Sequence, residues 1–347
     1  MADVLYVGLQ DDDKILTFGI DAGDGKLSPR AATPAAGAPS AFAVSPDRRI
    51  LYVGYRGTPG IESCRLDASG ALTSLGRVAT EHPPTYLAAD RTGKFLLSAY
   101  YQGAYAAVHA LRSDGAVSGP AIDRHDTAPG AHAILTDPSN RFAFVPHIAR
   151  QQYNVLEPPK NIPGPNFIAQ FRFDATTGKL SPNGRLEPKD PIGPRHYCFH
   201  PTLDLVYFSD EQGCSVMVYR IDRSSGALSV VETTPSLPAG VTVRNTCSQI
   251  YLTPSARFLY VGNRGHNSIA GFAVDPATGR LTPAGHAATE AVPTAFGLDS
   301  TGTFLFAAGT ATGRLASYRI DGATGALTPQ SVYPVGKRPA AVLAVRG

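Results

Sequence analysis

The sequence has little charge for its length, and this shortage already removes two classes of protein. Only 17% of its 347 residues are charged, and 31 Lys and Arg nearly balance 28 Asp and Glu, for a net charge of +3. Binding to nucleic acid normally needs a clustered basic face, so we expect no nucleic-acid partner. A disordered chain is also excluded, because 43% of the residues are hydrophobic.

Cysteines and long apolar runs are scarce as well. The four cysteines form no C-x-x-C pair, which argues against a zinc site or a disulfide framework and suits a reducing compartment. No run approaches the roughly 18 apolar residues of a membrane span. Residues Met1–Tyr6 lack the basic and apolar regions of a signal peptide. We therefore expect a cytoplasmic protein with no membrane partner, a monomer or a weak homo-oligomer.

A turn with Asp followed by Gly-x-Leu or a close variant recurs seven times between alternating or β-branched runs. The turns lie 45 to 63 residues apart and end at Leu27, Leu72, Val117, Leu180, Leu228, Leu281 and Leu327. Each turn predicts a hairpin, and each repeat holds about four apolar strands, A to D. This is the period of a β-propeller blade, so we predict an all-β, seven-bladed β-propeller that forms one domain over residues 1–347.

The two ends of the chain predict how the ring closes. The chain begins at a B strand, Val4–Val7, and ends in a lone A strand, Ala340–Val345. Joining the C-terminal strand to the N-terminal blade completes that blade and removes an open edge that would invite aggregation. Two β-sandwiches or an open solenoid would not explain why the missing strand stands at the opposite terminus.

Two loops are longer than their copies in the other repeats. From strand B to the end of the turn most repeats span 20 or 21 residues, but Phe144 to Leu180 spans 36. The extra residues fall within 148–166, between strands B and C. A smaller excess precedes Cys247, between strand D and the next strand A. Because the strands are antiparallel, both loops are expected on one face, where we predict that the function lies.

Positions that serve only packing are expected to carry similar residue types in every repeat, whereas a position with a chemical role is expected to differ from its copies. Most A strands begin with a small residue, but two begin with His132 and Arg195. The ends of the B strands differ in the same way, and we predict a catalytic set of His147, Glu211, Arg264 and Arg195. Five further residues of this rim are predicted to bind substrate: His132, Asn263, Tyr101, Arg56 and Arg150. His196 is expected to point to the other side of its strand and pack, since neighbours on a strand alternate.

This set is chemically coherent without a metal or a cofactor. A neutral His can accept or deliver a proton near pH 7. Arginines can hold an anion and stabilise a developing oxyanion, and Glu211 can orient a partner or act as a base. The structural alternative is an ion pair between Glu211 and one Arg that only braces the rim. Tyr55, Tyr100 and Tyr101 could form the floor under a sugar ring, or simply end their strands.

Three segments carry a resemblance to a known family: Gly193–Pro201, Val206–Glu211 and Phe258–Ile269. The chain resembles the bacterial 6-phosphogluconolactonase-type β-propeller lactonases, a family that includes a fungal carboxy-muconate lactonising enzyme. The resemblance covers essentially the whole chain. It implies an active site of one His, two Arg and one Glu, which fall by motif on His147, Arg195, Arg264 and Glu211.

One segment departs from the lactonase pattern. Lactonases of this family usually carry an Asp-containing segment where this chain has Pro146–Arg150 and the long insertion, and His147 matches the cyclase branch better there. The expected function is a metal-independent lactonase acting on a small anionic lactone, such as a phosphorylated sugar lactone or a related aldonolactone. The alternatives are a lactonising cycloisomerase with the same residues, and a non-catalytic propeller that binds a partner on the same face.

Overall fold

A computed structural model of the chain describes residues 3–153, 155–160 and 162–347, and within them it shows strands and turns but no α-helix. The strands form antiparallel sheets arranged as the seven blades of a β-propeller, which confirms the predicted fold class. No helix in the described ranges is therefore long and apolar enough to cross a membrane.

The first three blades each contain four strands, ordered from the inner to the outer strand. Blade 1 consists of β29 (Pro339–Val345), β1 (Val4–Leu9), β2 (Lys14–Ile20) and β3 (Leu27–Pro34). Blade 2 consists of β4 (Pro39–Val44), β5 (Ile50–Tyr55), β6 (Gly60–Leu66) and β7 (Leu72–Ala79). Blade 3 consists of β8 (Tyr86–Ala89), β9 (Phe95–Tyr100), β10 (Tyr105–Ala110) and β11 (Asp123–Asp126).

The remaining blades follow in chain order, and blade 4 carries an extra ribbon. Blade 4 consists of β12 (Phe142–Pro146), β15 (Ile168–Asp174) and β16 (Lys179–Leu186), with the ribbon β13 (Arg150–Gln151) and β14 (Ile162–Pro163). Blade 5 consists of β17 (Pro194–Phe199), β18 (Leu205–Asp210), β19 (Ser215–Ile221) and β20 (Leu228–Pro235). Blade 6 consists of β21 (Cys247–Leu252), β22 (Phe258–Asn263), β23 (Ser268–Val274) and β24 (Leu281–Ala288). Blade 7 consists of β25 (Pro293–Leu298), β26 (Phe304–Gly309), β27 (Arg314–Ile320) and β28 (Leu327–Pro334).

The ring closes as the sequence predicts. Strand β29 pairs antiparallel with β1, from Val345 opposite Val4 to Pro339 opposite Leu9. The C-terminal strand thereby becomes the inner strand of the N-terminal blade. This pairing covers the hydrogen-bonding edge that β1 would otherwise expose.

Blade 4 departs from the prediction at its inner strand. The segment around His132–Leu135 contains no regular strand and makes only isolated bridges to β12 and its end. The hydroxyl of Tyr197 from blade 5 lies between the two segments: it accepts a hydrogen bond from the Leu135 amide at 2.8 Å and donates to the Phe144 carbonyl at 2.7 Å. Backbone groups that would pair in a regular strand are satisfied by this hydroxyl instead.

The hydrophobic core is divided into seven large clusters, one at each junction between neighbouring blades. The cluster between blades 7 and 1, for example, joins Phe304 and Phe306 to Leu5 and Val7. Because every blade is buried between two others, the inner strands form a rigid wall around the central axis. That wall positions the candidate site.

Candidate active site

A cavity of about 510 Å³ opens on the face that carries the B–C and D–A loops. This volume is in the usual range for a small-molecule site. Its charged lining, among the described residues, comprises Arg56, Arg150, Glu157, Arg195, Glu211, Arg264 and Arg338. The excess of arginine makes the cavity attractive to an anion, although the whole chain is nearly neutral.

Glu211 forms the centre of a buried ion cluster on the cavity wall. Its Oε1 lies 2.6 Å from Arg264 Nη2, and its Oε2 lies 3.1 Å from Arg195 Nε. All three side chains are at most 10% exposed. Backbone hydrogen bonds fix two residues of the cluster. The Glu211 amide donates to the Gly193 carbonyl at 2.6 Å, and the Arg264 amide donates to the Thr246 carbonyl at 3.0 Å.

The two arginines of the cluster differ in their hydrogen bonds. Arg264 Nη2 also donates to the Cys247 carbonyl at 2.9 Å, so this guanidinium is anchored on both sides. Arg195 Nη1 is buried and has no hydrogen-bond partner among the described residues. Burial and the neighbouring Arg264 lower the pKa of Arg195 to about 10, which leaves it cationic at neutral pH. Arg195 therefore offers a charged donor to a ligand.

His132 stands beside the cluster on the cavity wall. Its Nε2 lies 3.9 Å from Glu211 Oε2, and its ring contacts Tyr101 and His196 edge to face, with centroids 5.7 and 5.0 Å apart. Burial and the charge of Arg195 hold the pKa of His132 well below its usual value. The imidazole is therefore neutral near pH 7 and can accept a proton.

His196 corrects the expectation that it points away from the site, since the structure places it on the cavity wall beside Arg195. The register between β17 and β18 shifts between Pro194 and His196, so alternation fails at this point. A bulge of this kind re-aims side chains and is frequent next to active sites. His196 Nε2 is buried without a hydrogen-bond partner in the described part of the chain.

His147, a member of the predicted catalytic set, lies away from the cavity wall. Its side chain is fully buried and does not line the cavity. Its Nε2 lies 2.9 Å from Thr127 Oγ1, and its ring stacks on Phe167 with centroids 4.1 Å apart. The next residue, Ile148, lines the cavity instead, because neighbouring residues at a strand end point to opposite sides.

Asn263 is likewise not on the cavity wall. Its Nδ2 donates to the Ser236 carbonyl at 2.7 Å, and its Oδ1 accepts hydrogen bonds from Ser236 Oγ and Asn245 Nδ2, both at 3.0 Å. These bonds tie down the longer D–A loop before β21. Asn263 therefore holds this loop in place from behind the cavity wall.

The other predicted binding residues, Tyr101, Arg56 and Arg150, all line the cavity. Burial and the nearby Glu211 raise the pKa of Tyr101 to about 12, so its hydroxyl stays protonated. The two remaining aromatic candidates lie elsewhere: Tyr55 is hydrogen-bonded to Glu62, and Tyr100 stacks on Tyr105 with centroids 4.2 Å apart.

The blade 4 insertion lines this cavity, and the longer D–A loop contacts the insertion. Arg244 of the D–A loop donates to the Val155 carbonyl of the blade 4 insertion at 3.0 Å. The insertion contributes Arg150, Gln152 and Tyr153 to the cavity wall, among others. Sequence positions 154 and 161 of the predicted 148–166 insertion lie outside the described residues.

No cluster of three or more His, Cys, Asp or Glu side chains in the described ranges has the geometry of a metal site. Metal independence stays a prediction. The four cysteines are free thiols.

Comparisons with known proteins agree with this architecture. The family model described as lactonase, 7-bladed beta-propeller, matches residues 4–155 and 163–344. A 6-phosphogluconolactonase of Pectobacterium carotovorum is 33% identical over 304 residues, which cover 87% of this chain and 86% of the relative. A 6-phosphogluconolactonase of Yersinia pestis is 31% identical over 350 residues, which cover 100% of this chain and 99% of the relative.

Solved structures show the same fold at lower sequence identity. The periplasmic gluconolactonase of Pseudomonas aeruginosa superposes with a TM-score of 0.85 at 23% identity, covering 100% of this chain and 99% of the other. A protein from Lactobacillus plantarum superposes with a TM-score of 0.86 at 24% identity, covering 100% of both chains.

Proposed function

We propose, on the premise that the chain belongs to the lactonase family of seven-bladed β-propellers, that it hydrolyses the ring ester of a small sugar lactone in the central cavity. The observation that carries the proposal is the buried Glu211 cluster. It presents a buried cationic donor, Arg195 Nη1, that has no partner among the described residues, on a guanidinium whose Nε lies 3.1 Å from Glu211 Oε2.

Arg195 is the group that binds the lactone carbonyl. Attack on an ester carbonyl places negative charge on its oxygen, and a preorganised cation in a buried site stabilises that charge. Arg264 holds Glu211 and adds to the positive field. Because Arg264 already bonds the Cys247 carbonyl, it keeps the cluster in place while Arg195 engages the substrate.

His132 is the base that activates water. Its neutral imidazole takes the proton as the water oxygen attacks the carbonyl carbon, and Glu211 Oε2, 3.9 Å away, stabilises the imidazolium that forms. The ring C–O bond then breaks, and the proton passes from His132 to the departing ring oxygen. The product is an open-chain hydroxy acid with one added water.

The lactonising isomerase alternative relies on His147 as a proton shuttle, and that ring does not reach the cavity wall. The Pectobacterium and Yersinia relatives are both 6-phosphogluconolactonases. Both observations favour hydrolysis.

The test is ring opening of aldonolactones and muconolactones followed by NMR, with the spontaneous rate subtracted. We expect the wild type to yield hydroxy acids, and His132→Gln and Arg195→Met each to lose about 100-fold or more in kcat/KM. His147→Gln serves as the matched histidine control, with a loss below about tenfold, since its ring contacts Thr127 and Phe167 instead of the cavity.

Three results would contradict the proposal. Rearrangement at constant mass would show an isomerase, and no turnover of any lactone would favour a binding scaffold. A larger loss in His147→Gln than in His132→Gln would return the catalytic role to His147. Circular dichroism of each variant separates loss of activity from loss of fold.

We also propose that the protein works in the cytoplasm, because its four cysteines are free thiols. Cell fractionation tests this directly, and recovery in the periplasmic fraction would contradict it.

A further inference from the structure

Two of the four free cysteines, Cys214 and Cys247, meet next to the Glu211 cluster at the junction between blades 5 and 6. Cys214 lies in the B–C turn of blade 5, where its amide donates to the Asp210 carbonyl at 3.1 Å. Cys247 begins β21 of blade 6, and its amide donates to the Glu211 carbonyl at 2.9 Å. Both side chains pack in the same hydrophobic cluster.

Cys247 differs from its copies in the other blades. The inner strands of blades 1, 2, 5 and 7 pair their first residue with the last residue of the B strand, and that first residue is Pro339, Pro39, Pro194 or Pro293. In blade 6 the same register places Cys247 opposite Asn263. A cysteine therefore stands where four other blades use proline.

Cys214 differs from its copies as well. It is the residue directly before the C strand, and it has a left-handed backbone with φ of 50°. The residues at this position in blades 1, 3, 6 and 7 also have positive φ, and they are Asp13, Ala104, Asn267 and Gly313. Gly, Asn and Asp are the residues that tolerate this conformation best, so the backbone gives no reason for a cysteine here.

A compact polar network surrounds the two sulfur atoms. Asn245 Nδ2 donates to Cys214 Sγ at 3.4 Å and to Asn263 Oδ1 at 3.0 Å. Cys247 Sγ lies 3.6 Å from the same Asn263 oxygen. Ser236 also touches both cysteines, because its amide donates to the Cys214 carbonyl at 2.8 Å and its Oγ lies 3.1 Å from Cys247 Sγ. The two thiols thus share their hydrogen-bonding partners.

The two thiols are chemically unequal. Cys214 is partly exposed, and the side chain of Cys247 holds the pKa of Cys214 below that of an ordinary thiol. Cys247 is buried, and the same interaction raises its pKa. Burial raises the pKa of Cys64 and of Cys198 to about 12. Because the thiolate is the reactive form, Cys214 is the cysteine most reactive toward an oxidant, with Cys247 beside it.

We propose that Cys214 and Cys247 form a peroxide-sensitive thiol pair, which closes to a disulfide and alters the Glu211 cluster. The Cys214 thiolate attacks hydrogen peroxide, the O–O bond breaks, and a sulfenic acid and hydroxide form. Cys247 then loses its proton and attacks the Cys214 sulfur, the S–O bond breaks, and the oxygen leaves as water. In sum, two thiols and one peroxide give one disulfide and two waters.

The backbone of Cys247 connects this pair to the site. Its carbonyl accepts a hydrogen bond from Arg264 Nη2 at 2.9 Å, and its amide bonds Glu211. A disulfide joins its sulfur atoms at about 2 Å, closer than two separate thiols can approach, so its formation must pull on this backbone. We expect Arg264 to lose its position against Glu211. The effect on activity rests on the proposed function, whereas the disulfide itself does not.

The first test is chemical and uses the wild type with a small excess of hydrogen peroxide. We expect a mass lower by about 2 Da, the loss of two of the four titratable thiols, and a linked Cys214–Cys247 peptide, all reversed by dithiothreitol. Cys214→Ser is expected to abolish the change, and Cys247→Ser to stop at a sulfenic acid that dimedone traps. Cys198→Ser is the matched control and should still form the disulfide, because Cys198 lies outside the shared network.

The second test measures lactone opening before and after oxidation. Oxidised wild type and Cys198→Ser are expected to lose at least about tenfold in kcat/KM and to recover with dithiothreitol, because Arg264 no longer holds Glu211. Peroxide should leave Cys214→Ser unaffected. Thermal unfolding of each variant and of the oxidised protein shows whether a loss reflects the fold.

An unchanged mass, a disulfide between other cysteines, or oxidation of Cys214 that stops short of a disulfide in the wild type would overturn the pair. A Cys214–Cys247 disulfide that leaves kcat/KM unchanged would overturn its effect on the site. A reduced wild type that opens no lactone would contradict the proposed function, and the mass measurement would still decide the disulfide.

Discussion

At the scale of single residues, the direction of a side chain at a strand end decides which chemistry reaches the cavity. In blades 4, 5 and 6 a buried residue at the end of the B strand, or directly after it in blade 4, is followed by a residue that lines the wall: the pairs are His147-Ile148, Asp210-Glu211 and Asn263-Arg264. Asp210 shows the contrast with its neighbour, because burial raises its pKa well above the usual value while Ser215 Oγ donates to it at 2.6 Å. One step along the chain separates a structural carboxyl from the centre of the site.

The buried ring of His147 predicts a pH dependence of stability. Burial lowers the pKa of His147 to about 4, whereas the unfolded chain has the ordinary value of 6.5. Between these values the unfolded state binds the proton and the folded state does not, so stability falls as the pH falls below 6.5. We expect this group to reduce the free energy of unfolding by about 2 kcal/mol between pH 7.5 and pH 5.

Denaturant unfolding of wild type and His147→Gln at both pH values checks this expectation. The difference between the two proteins cancels the contributions of the other titrating groups. The expected result is that the wild type loses about 2 kcal/mol more than the variant on acidification. An equal loss in both proteins would contradict a depressed pKa at His147.

At the scale of elements, the recurring turn packs each blade against the preceding one. The glycines of all seven turns have positive φ, from 69° to 85°, and each faces the first residue of a B strand in the preceding blade. A Cβ at Gly115 would lie 2.6 Å from Ile50 Cγ1, and one at Gly70 would lie 2.6 Å from Val4 Cγ1. Tyr52 also stabilises the junction at Gly115, because its hydroxyl donates to the Gly115 carbonyl at 2.8 Å.

Gly115→Ala is therefore expected to destabilise the protein through the blade junction. Its matched control is Gly240→Ala, since Gly240 has a similar φ of 80° but nothing within 4 Å of an added Cβ. Both changes carry the backbone cost of about 1 kcal/mol, and overpacking adds about 1–3 kcal/mol at Gly115 alone. Denaturant midpoints measure the difference, and equal destabilisation by the two substitutions would show that the turn does not dock tightly.

At the scale of the whole molecule, the stability of the ring depends on one strand supplied from the far end of the chain. Strand β29 covers the edge of β1 and packs between the inner strands of blades 7 and 2. Val342 of this strand belongs to the cluster between blades 7 and 1, and Val345 belongs to the cluster between blades 1 and 2. Two junctions and a sheet edge therefore rely on the same seven residues, 339–345.

Removal of residues 339–347 is expected to abolish cooperative unfolding and to cause aggregation through the exposed edge of β1. Removal of residues 346–347 alone is the control, because β29 ends at Val345. Val345 pairs with Val4, so placing 336–347 in front of the truncated chain with a short linker should form a hairpin and restore folding. Light scattering and thermal unfolding report the outcome, and a folded monomer without β29 would contradict the role given to ring closure.

That all 347 residues form one domain stays a prediction.

The repeat pattern predicted the blades, the closure of the ring and the position of Arg195, Glu211 and Arg264 on one rim. That these three residues are catalytic stays a prediction. The pattern could do so much because the fold repeats: equivalent positions share a backbone environment, and a charged residue among small copies stands out. The seven turn glycines and the lone terminal strand are local features that can be read without knowing any long-range contact.

Which histidine reaches the cavity depends on packing between distant segments, so the sequence pattern could not show it. His147 and His132 both break the repeat, but the ring of His147 turns into the junction between blades 3 and 4, while His132 lies 3.9 Å from Glu211. A register shift in β17 brings His196 to the wall beside Arg195, against simple alternation. Arg56 and Arg338 both line the cavity although they are 282 residues apart in the sequence. Closure of the ring brings them to adjacent blades, because β29 pairs with β1. Side-chain direction and contacts across the ring depend on bulges and packing between distant segments, and local sequence patterns do not encode these.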